Sequence, residues 1–375
     1  MQTDRTSESV IGVAVVGTGF GQKVHIPAFR ECSRTEIVAV YNRDLAKATA
    51  IATAQNIPHA FDDLTQILAR PDIQGISIST PPFLHAEMAE TVLKAGKHLF
   101  LEKPTTLNAG EARKLYQLTQ QQGLQATLNF EFRFVPAWMQ LKALLTENYV
   151  GQPRLIKIDW LVPGRADPNR PWSWHASKDL GGGSLGALAS HTFDYIAWLF
   201  GPIKRICARL VTTITARPDP ESGTPKPVDA DDTCILMLEL QDGTPCQVNI
   251  SATTYAGRGH WLEVYGDRGT LILGSDNPND YVHGFQLKGS QSGAELQDIS
   301  ISDWLQFEQT YPDGRIAPTI RVVDHWVQMI QQGQTTAPSL KEGVYSQLLM
   351  DAAHQSHQQD AWINVPNLDD FLVQG

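Results

Sequence analysis

From Ile11 to about Asn129, short apolar runs alternate with amphipathic stretches. The runs are VAVVG, EIVAVY, GISIST, HLFLE and QATLN, each of strand length. Between them the periodicity predicts helices over residues 44–55, 84–95 and 109–122, the last with Asn108 as N-cap and Gly123 as its stop. Apolar runs alternating with helices need crossover connections, and hence a parallel sheet covered on both faces. This half reads as a doubly wound α/β domain.

Beyond Gly151 the pattern changes. RLIKIDWLV begins a strand, a Gly/Pro/Trp-rich loop follows, and one helix is predicted over residues 184–200. Strands then dominate: IKRICARLVTTI, TCILMLEL, TPCQVNIS, WLEVYG and TLILG. LQDGTP at 240–245 and GDRG at 266–269 read as hairpin turns, the first because Asp-Gly tolerates positive φ at both central positions. Residues 131–375 are therefore expected to form an α+β domain with a large, mostly antiparallel open sheet, packed on one face by the helix of 184–200. Residues 217–232, rich in Pro and Asp, read as a long exposed loop. Two helices are expected at 320–332 and 341–357, able to pack back on the first domain, and residues 1–10 as a disordered tail.

With 375 residues, 42% of them hydrophobic, the chain can bury two cores. Its net charge of −10 argues against a nucleic-acid partner, which calls for a basic face. No run approaches the roughly 20 apolar residues of a membrane span, and no basic amphipathic stretch suits a membrane surface. The polar start MQTDRTSESV lacks the apolar core of a signal peptide. Cys32, Cys207, Cys234 and Cys246 are far apart, with no CxxC pair. That pattern predicts reduced thiols in a cytoplasmic protein and no metal site.

VAVVGTGFGQ sets Gly17, Gly19 and Gly21 between a strand and a helix. Such a turn lets the backbone approach a pyrophosphate, whose charge is stabilised by N–H groups at the helix start. Gly17, Thr18, Gly19, Phe20 and Gly21 are thus candidate dinucleotide contacts of a Rossmann domain over residues 11–130. Gln22 stands where a third fingerprint glycine is usual, and a tight turn in some other α/β protein is the plainer reading. The second strand ends in VYNRD. An acid belongs there when NAD is held through its ribose hydroxyls, but the position is Asn42, followed by Arg43. A neutral side chain beside an arginine favours NADP(H), with NAD(H) as the alternative.

The stretch STPPFLHAEM carries Thr80-Pro81-Pro82 and His85; Gly96-Lys97-His98 and Glu102-Lys103-Pro104 follow, then NFEFRFVPAW at 129–138. Together with the glycine turn these resemble the Gfo/Idh/MocA oxidoreductases, over nearly the whole chain from Ile11 to about Val365. The resemblance implies that Thr80, Pro81, Pro82 and His85 lie along the dinucleotide and that Glu102 joins the cofactor site. It implies Lys103 as the active-site lysine, touching the substrate oxygen and the nicotinamide region. Chemistry alone agrees, since HLFLE delivers Glu102 and Lys103 to the sheet's carboxyl edge, where doubly wound folds bind ligands. A lysine there can polarise a carbonyl or stabilise a developing alkoxide. A surface lysine at a strand end is the plain alternative.

In the same family a triple glycine precedes a helix bearing an acid and, four residues later, a histidine. GGGSLGALASHTFD at 181–194 sets His191 at the catalytic histidine position and Asp194 at a matching one, but Ala187 replaces the acid and Ala189 a usual glycine. A neutral histidine can take a hydroxyl proton as hydride leaves; the alanine can neither touch substrate nor tune that histidine as a carboxylate would. The preceding loop, PGRADPNRPWSWHASKDL, supplies Arg165, Trp172 and Trp174 as substrate candidates, because aromatic faces stack on sugars and arginines grip carboxylate or phosphate. Arg133, in FRF, resembles a further cleft residue and joins Asp194 among the substrate candidates. The bland readings are loop-anchoring tryptophans and a packed core histidine. The expectation is an NAD(P)-dependent oxidoreductase interconverting a secondary alcohol and a ketone in a sugar, cyclitol or related polyhydroxy compound. A homodimer or homotetramer through the C-terminal sheet is expected. A non-catalytic NAD(P)-binding regulator and an NAD-dependent glycosidase are the alternatives.

Overall fold

Six residues in a row, IGVAVV, form strand β1 (Ile11–Val16), and all six are buried, as a strand covered on both faces requires. The computed structural model describes residues 10–277 and 284–373; the tail expected at 1–10 lies, but for Val10, outside the described residues. Strand β1 pairs in parallel with β2 (Thr35–Tyr41) and β4 (Gly75–Ile78). With β3 (His59–Phe61), β5 (His98–Leu101) and β6 (Ala126–Leu128) the sheet runs β3-β2-β1-β4-β5-β6, all parallel. The strand order reverses between β1 and β4, the switch point beyond whose carboxyl ends such sheets bind ligands. Strand β3, only half-buried, carries no apolar run and escapes the sequence pattern.

The chain divides into two units. The first runs to Thr105 and takes in Gly110–Glu131 and Tyr311–Gly343. It therefore includes the helix Ile316–Gln332, which buries Trp326 on strand β4. A Cβ on Gly75 would lie 2.3 Å from that indole, so the strand holds a glycine where a larger residue would otherwise serve it better. Phe29 and Phe100 meet the same indole edge-on, each at 5.9 Å.

The second unit comprises Thr106–Ala109, Phe132–Thr310 and the chain from Val344 onward. Its strands are β7 (Pro153–Leu161), β8 (Ile203–Val211), β9 (Ala216–Pro218), β10 (Pro225–Pro227), β11 (Thr233–Leu240), β12 (Pro245–Ser251), β13 (Gly259–Gly266), β14 (Gly269–Ser275), β15 (Gln286–Gln291), β16 (Gln297–Asp298) and β17 (Ile363–Asn364). Among the described residues the large sheet is nine-stranded, ordered β16-β15-β14-β13-β7-β12-β11-β8-β17. Every pairing is antiparallel except β12 with β7. On β11 Cys234, Leu236, Leu238 and Leu240 point inward while Ile235 and Met237 stay exposed, a period-two pattern. Phe193, Ile196 and Leu199 of the helix Ser190–Phe200 share the core with Ile156, Leu236 and Val248, so this helix covers the sheet's inner face.

Two local expectations are corrected. In the turn at 240–245 only Gly243 has positive φ (+88°); Asp242 instead accepts the Thr244 N–H at 2.9 Å, which holds the turn without a second left-handed residue. Residues 217–232 are not an exposed loop throughout: β9 and β10 pair as a small ribbon, and Arg217, Ala230, Asp231 and Asp232 are buried. Polar residues go under here because each is bonded. The Arg217 guanidinium donates to Asp167 O (2.7 Å) and Arg165 O (2.6 Å), and Asp232 accepts from Thr213 and Ile214 N–H at 2.7 and 3.0 Å. The four cysteines are unbridged, and among the described residues no helix is long and apolar enough to cross a membrane.

Candidate functional site

In the first unit the three glycines divide their work. Gly17 has φ of +103°, and a Cβ there would lie 2.8 Å from the Ser79 backbone; one on Gly21 would lie 2.4 Å from Ser79 Oγ. These two seat the turn against the end of β4. At Gly19 nothing lies within 4 Å of an added Cβ. The middle glycine therefore faces open space, a cradle with room for a pyrophosphate to meet backbone N–H groups. The chain enters its helix through a π-type turn, Gly21–His25, a widened geometry frequent at functional sites. The Phe20 ring is edge-on to His25 at 5.4 Å and lies under the Arg315 guanidinium at 4.9 Å. Asn42 Nδ2 donates to Thr18 Oγ1 at 2.5 Å, tying strand end to turn. Asp44, two residues on, caps the helix Leu45–Ala54 by accepting the Lys47 N–H at 3.2 Å, while Arg43 is exposed.

At the carboxyl edge, Glu102 is held from several sides. His25 Nε2 lies 2.9 Å and Asn129 Nδ2 2.6 Å from Oε1, and the Lys103 N–H donates to Oε2 at 3.3 Å. A carboxylate only accepts, so Nε2 of His25 is the donor to Glu102, with Ser77 Oγ 2.7 Å from Nδ1. Burial opposes the Glu102 charge, but the His25 bond and charge and then Lys103 and Asn129 hold its pKa below the ordinary range. Glu131 behaves oppositely. Burial pushes it up to about 7, with the Glu102 charge adding to the rise and Lys103 and Arg315 opposing it. The electrostatic surroundings of Lys103 thus combine an ionised carboxylate and an acid poised to titrate near neutrality. Such a divergent pair is a mark of acid–base sites. His85, 1% exposed, places Nδ1 3.0 Å from Pro104 O and Nε2 2.8 Å from Thr80 O. It braces the Thr80-Pro81-Pro82 loop to the Glu-Lys-Pro loop, and burial pushes its pKa down.

In the second unit the triple glycine lets the chain pass close beneath other backbone. A Cβ on Gly182 would lie 2.5 Å from His175 O, and Gly183, with φ of +103°, would place one 2.4 Å from Asp231 Oδ1. Asp231 then receives the helix start: Ser184 N donates to its carbonyl and Leu185 N to Oδ2, both at 2.8 Å. A π-type turn, Leu185–Ala189, leads into the helix Ser190–Phe200. Ala187 lies inside that turn. A π-type turn closes over five residues, so Ala187 and His191 are not one ordinary α-turn apart as the spacing alone suggests.

His191 is 4% exposed and sits edge-on to Phe132 at 5.1 Å and near Trp160 at 6.3 Å. His260 lies flat on Trp160, rings 4.0 Å apart and 4° from parallel, with Tyr195 Oη 3.1 Å from its Nε2. Burial pushes His260 down to about 3, so it stays neutral. Of the substrate candidates, Arg133 and Asp194 meet each other: Nε donates to Oδ2 at 2.9 Å and Nη2 to Oδ1 at 2.7 Å, both residues buried. That pair braces the Phe132 segment to the His191 helix. Trp172 donates from Nε1 to Pro227 O at 2.9 Å beneath Lys226, and Trp174 stacks on His175 at 3.6 Å. Trp172 thus ties the loop to strand β10, while Trp174 packs on its own neighbour within the loop. Arg165 Nη2 donates to His175 Nδ1 at 3.0 Å.

Sequence reasoning passes over His25, Asn129, Glu131, Trp160, His260 and Arg315. Only Glu131 had a readable signal, an acid within the apolar NFEFRF just past strand β6; the others gain their roles from strand pairing or from the chain's far end.

Two family models match: "Oxidoreductase family, NAD-binding Rossmann fold" over residues 11–130 and "Oxidoreductase family, C-terminal alpha/beta domain" over 142–365, both of the Gfo/Idh/MocA group. An uncharacterized oxidoreductase of Synechocystis sp. is 50% identical over 98% of this chain and 100% of its own length. Levoglucosan dehydrogenase of Pseudarthrobacter phenanthrenivorans is 25% identical over 96% of this chain and 99% of its own. Among solved structures, levoglucosan dehydrogenase in complex with NADH and levoglucosan has a TM-score of 0.87 at 23% identity, covering 96% of this chain and 100% of that one.

Proposed function

The chain belongs to the Gfo/Idh/MocA oxidoreductases, a family with an NAD-binding Rossmann domain, and on that premise we propose that it interconverts a secondary alcohol and a ketone in a polyhydroxy substrate. The observation that carries the reading is the placement of Lys103 beside the buried, hydrogen-bonded Glu102 at the carboxyl edge of a sheet whose glycine turn keeps Gly19 open. Bound nicotinamide supplies the hydride acceptor or donor. Lys103 orients the substrate oxygen and stabilises negative charge growing on it. His191 takes the hydroxyl proton in oxidation and returns it in reduction. The aromatic surfaces of Phe132 and Trp160 around His191 suit the apolar faces of a sugar or cyclitol.

Asn42 and Arg43 favour NADP(H), since no carboxylate at the Asn42 position repels a 2′-phosphate. Self-association through the large sheet is supported by the exposed Leu155, Ile235 and Met237, and the unbridged cysteines suit a cytoplasmic protein. The test is an oxidation screen of sugars, sugar acids and cyclitols with NADP+ and NAD+, read at the reduced nicotinamide absorbance. Turnover on a polyol supports the reading. Tight cofactor binding without turnover on any member would favour the regulator that Ala187 leaves open, and sugar release without net reduction would favour the glycosidase.

A further inference from the structure

Arg165, Arg170 and Arg217 line one pocket of the second unit, together with His175, Asp231 and Asp232. Their hydrogen bonds go to neutral acceptors. Arg217 donates to two carbonyl oxygens, Arg170 Nη1 to Gly164 O, and Arg165 to the His175 ring. Among the described residues no carboxylate forms an ion pair with any of the three. The two aspartates are engaged elsewhere: Asp232 Oδ2 by Thr213 and Ile214, Asp231 Oδ2 by Leu185 N and Cys234 Sγ. Burial first, and then the Arg170 charge, pull Arg165 down to about 10, although Asp231 and Asp232 oppose them. The pocket therefore sets three guanidinium groups against two carboxylates that form no ion pair with them, an excess of positive charge in a chain whose net charge is −10. The three arginines also grade from buried Arg217 through half-buried Arg165 to exposed Arg170, so a ligand can reach them from solvent.

The pocket is joined to the His191 helix by hydrogen bonds. Its His175 carbonyl accepts from Gly183 N at 3.1 Å, and its Asp231 receives the N–H groups of Ser184 and Leu185, where that helix begins. We propose that this arginine pocket binds the carboxylate or phosphate of an anionic polyhydroxy substrate, such as a sugar acid or a sugar phosphate. Guanidinium groups suit both anions, which they grip in paired hydrogen bonds. The substrate role rests on the dehydrogenase reading above, but the binding does not.

The test uses the full chain with NADPH present, titrated calorimetrically at low salt with D-gluconate, D-glucose 6-phosphate, inorganic phosphate and D-glucose. One of the two sugar anions is expected to bind at least tenfold more tightly than glucose, and which one binds tells carboxylate from phosphate. Arg165→Gln with Arg170→Gln should weaken that binding at least tenfold while NADPH affinity stays unchanged. Arg170→Gln alone, at an exposed site, serves if the double variant does not fold. Sugar anions no tighter than glucose, binding of inorganic phosphate alone, or variants that bind as the parent does would overturn the proposal. Anion binding with no turnover would leave it standing as a binding site and remove the dehydrogenase reading instead.

Discussion

Replacing Glu131 with Gln should make the first unit's stability less dependent on pH. Glu131 is 4% exposed, and burial, with the Glu102 charge, lifts its carboxyl from 4.5 to about 7. A raised acid favours the protonated folded form. That stabilisation is fully present below pH 4.5 and is lost as pH rises through 7. At about 1.4 kcal/mol per tenfold change in proton affinity, the contribution falls by about 2–3 kcal/mol between roughly pH 5 and 8.5. Glutamine keeps the shape and cannot titrate, so the parent should lose about that much relative to Glu131→Gln over the same range. Hydrogen exchange of peptides covering β5 and β6, corrected for intrinsic rates, reads the difference. Lys103→Ala should enlarge it, because the lysine charge holds the Glu131 carboxyl down. A gap between parent and Glu131→Gln that is equal at both pH values would refute the buried-acid assignment.

Gly17→Ala should destabilise the fold by about 1–3 kcal/mol through its left-handed backbone and its contact with Ser79, whereas Gly19→Ala should melt as the parent does yet bind NADPH about tenfold more weakly; thermal melts and fluorescence titration separate the two. Arg133→Ala leaves Asp194 buried and without its guanidinium partner, a loss of about 3–5 kcal/mol by denaturant unfolding, and Asp194→Asn in that background should recover part of it. Arg43→Ala should bring the NADPH-to-NADH affinity ratio toward one in paired titrations, and a parent that already prefers NADH would remove the Asn42–Arg43 argument.

The first sheet, apart from half-buried β3, was legible because its strands are buried on both faces and so appear as unbroken apolar runs; IGVAVV and HLFL need no partner to be recognised. Strands β7, β8 and β11 to β14 of the second sheet were legible as apolar runs, but the short, largely polar β15, β16 and β17 were not, nor was the order, since β7 lies between β12 and β13 through pairings that leave no local mark. Trp326 shows the same limit: its place against Gly75 depends on a helix that joins the first unit from far along the chain. At the site, glycine positions and the Glu102-Lys103 strand end follow from backbone rules and could be read directly. What Arg133 and Asp194 do could not, because two charged residues that look available in sequence bond to each other once buried. Glu131 and His260 take their character from burial, which a sequence states only indirectly.

The central claim is that Lys103 and His191 both serve alcohol oxidation, and the most direct measurement is kcat/KM for Lys103→Ala and His191→Ala on the substrate found by the oxidation screen, beside their NADPH affinities. Both variants should bind NADPH nearly as the parent does. Lys103→Ala should lose about 10²-fold or more, the scale of one electrostatic donor, and His191→Ala about 10²- to 10⁴-fold, the scale of general acid–base loss. Parent-like rates in both variants, with the cofactor bound, would contradict the account.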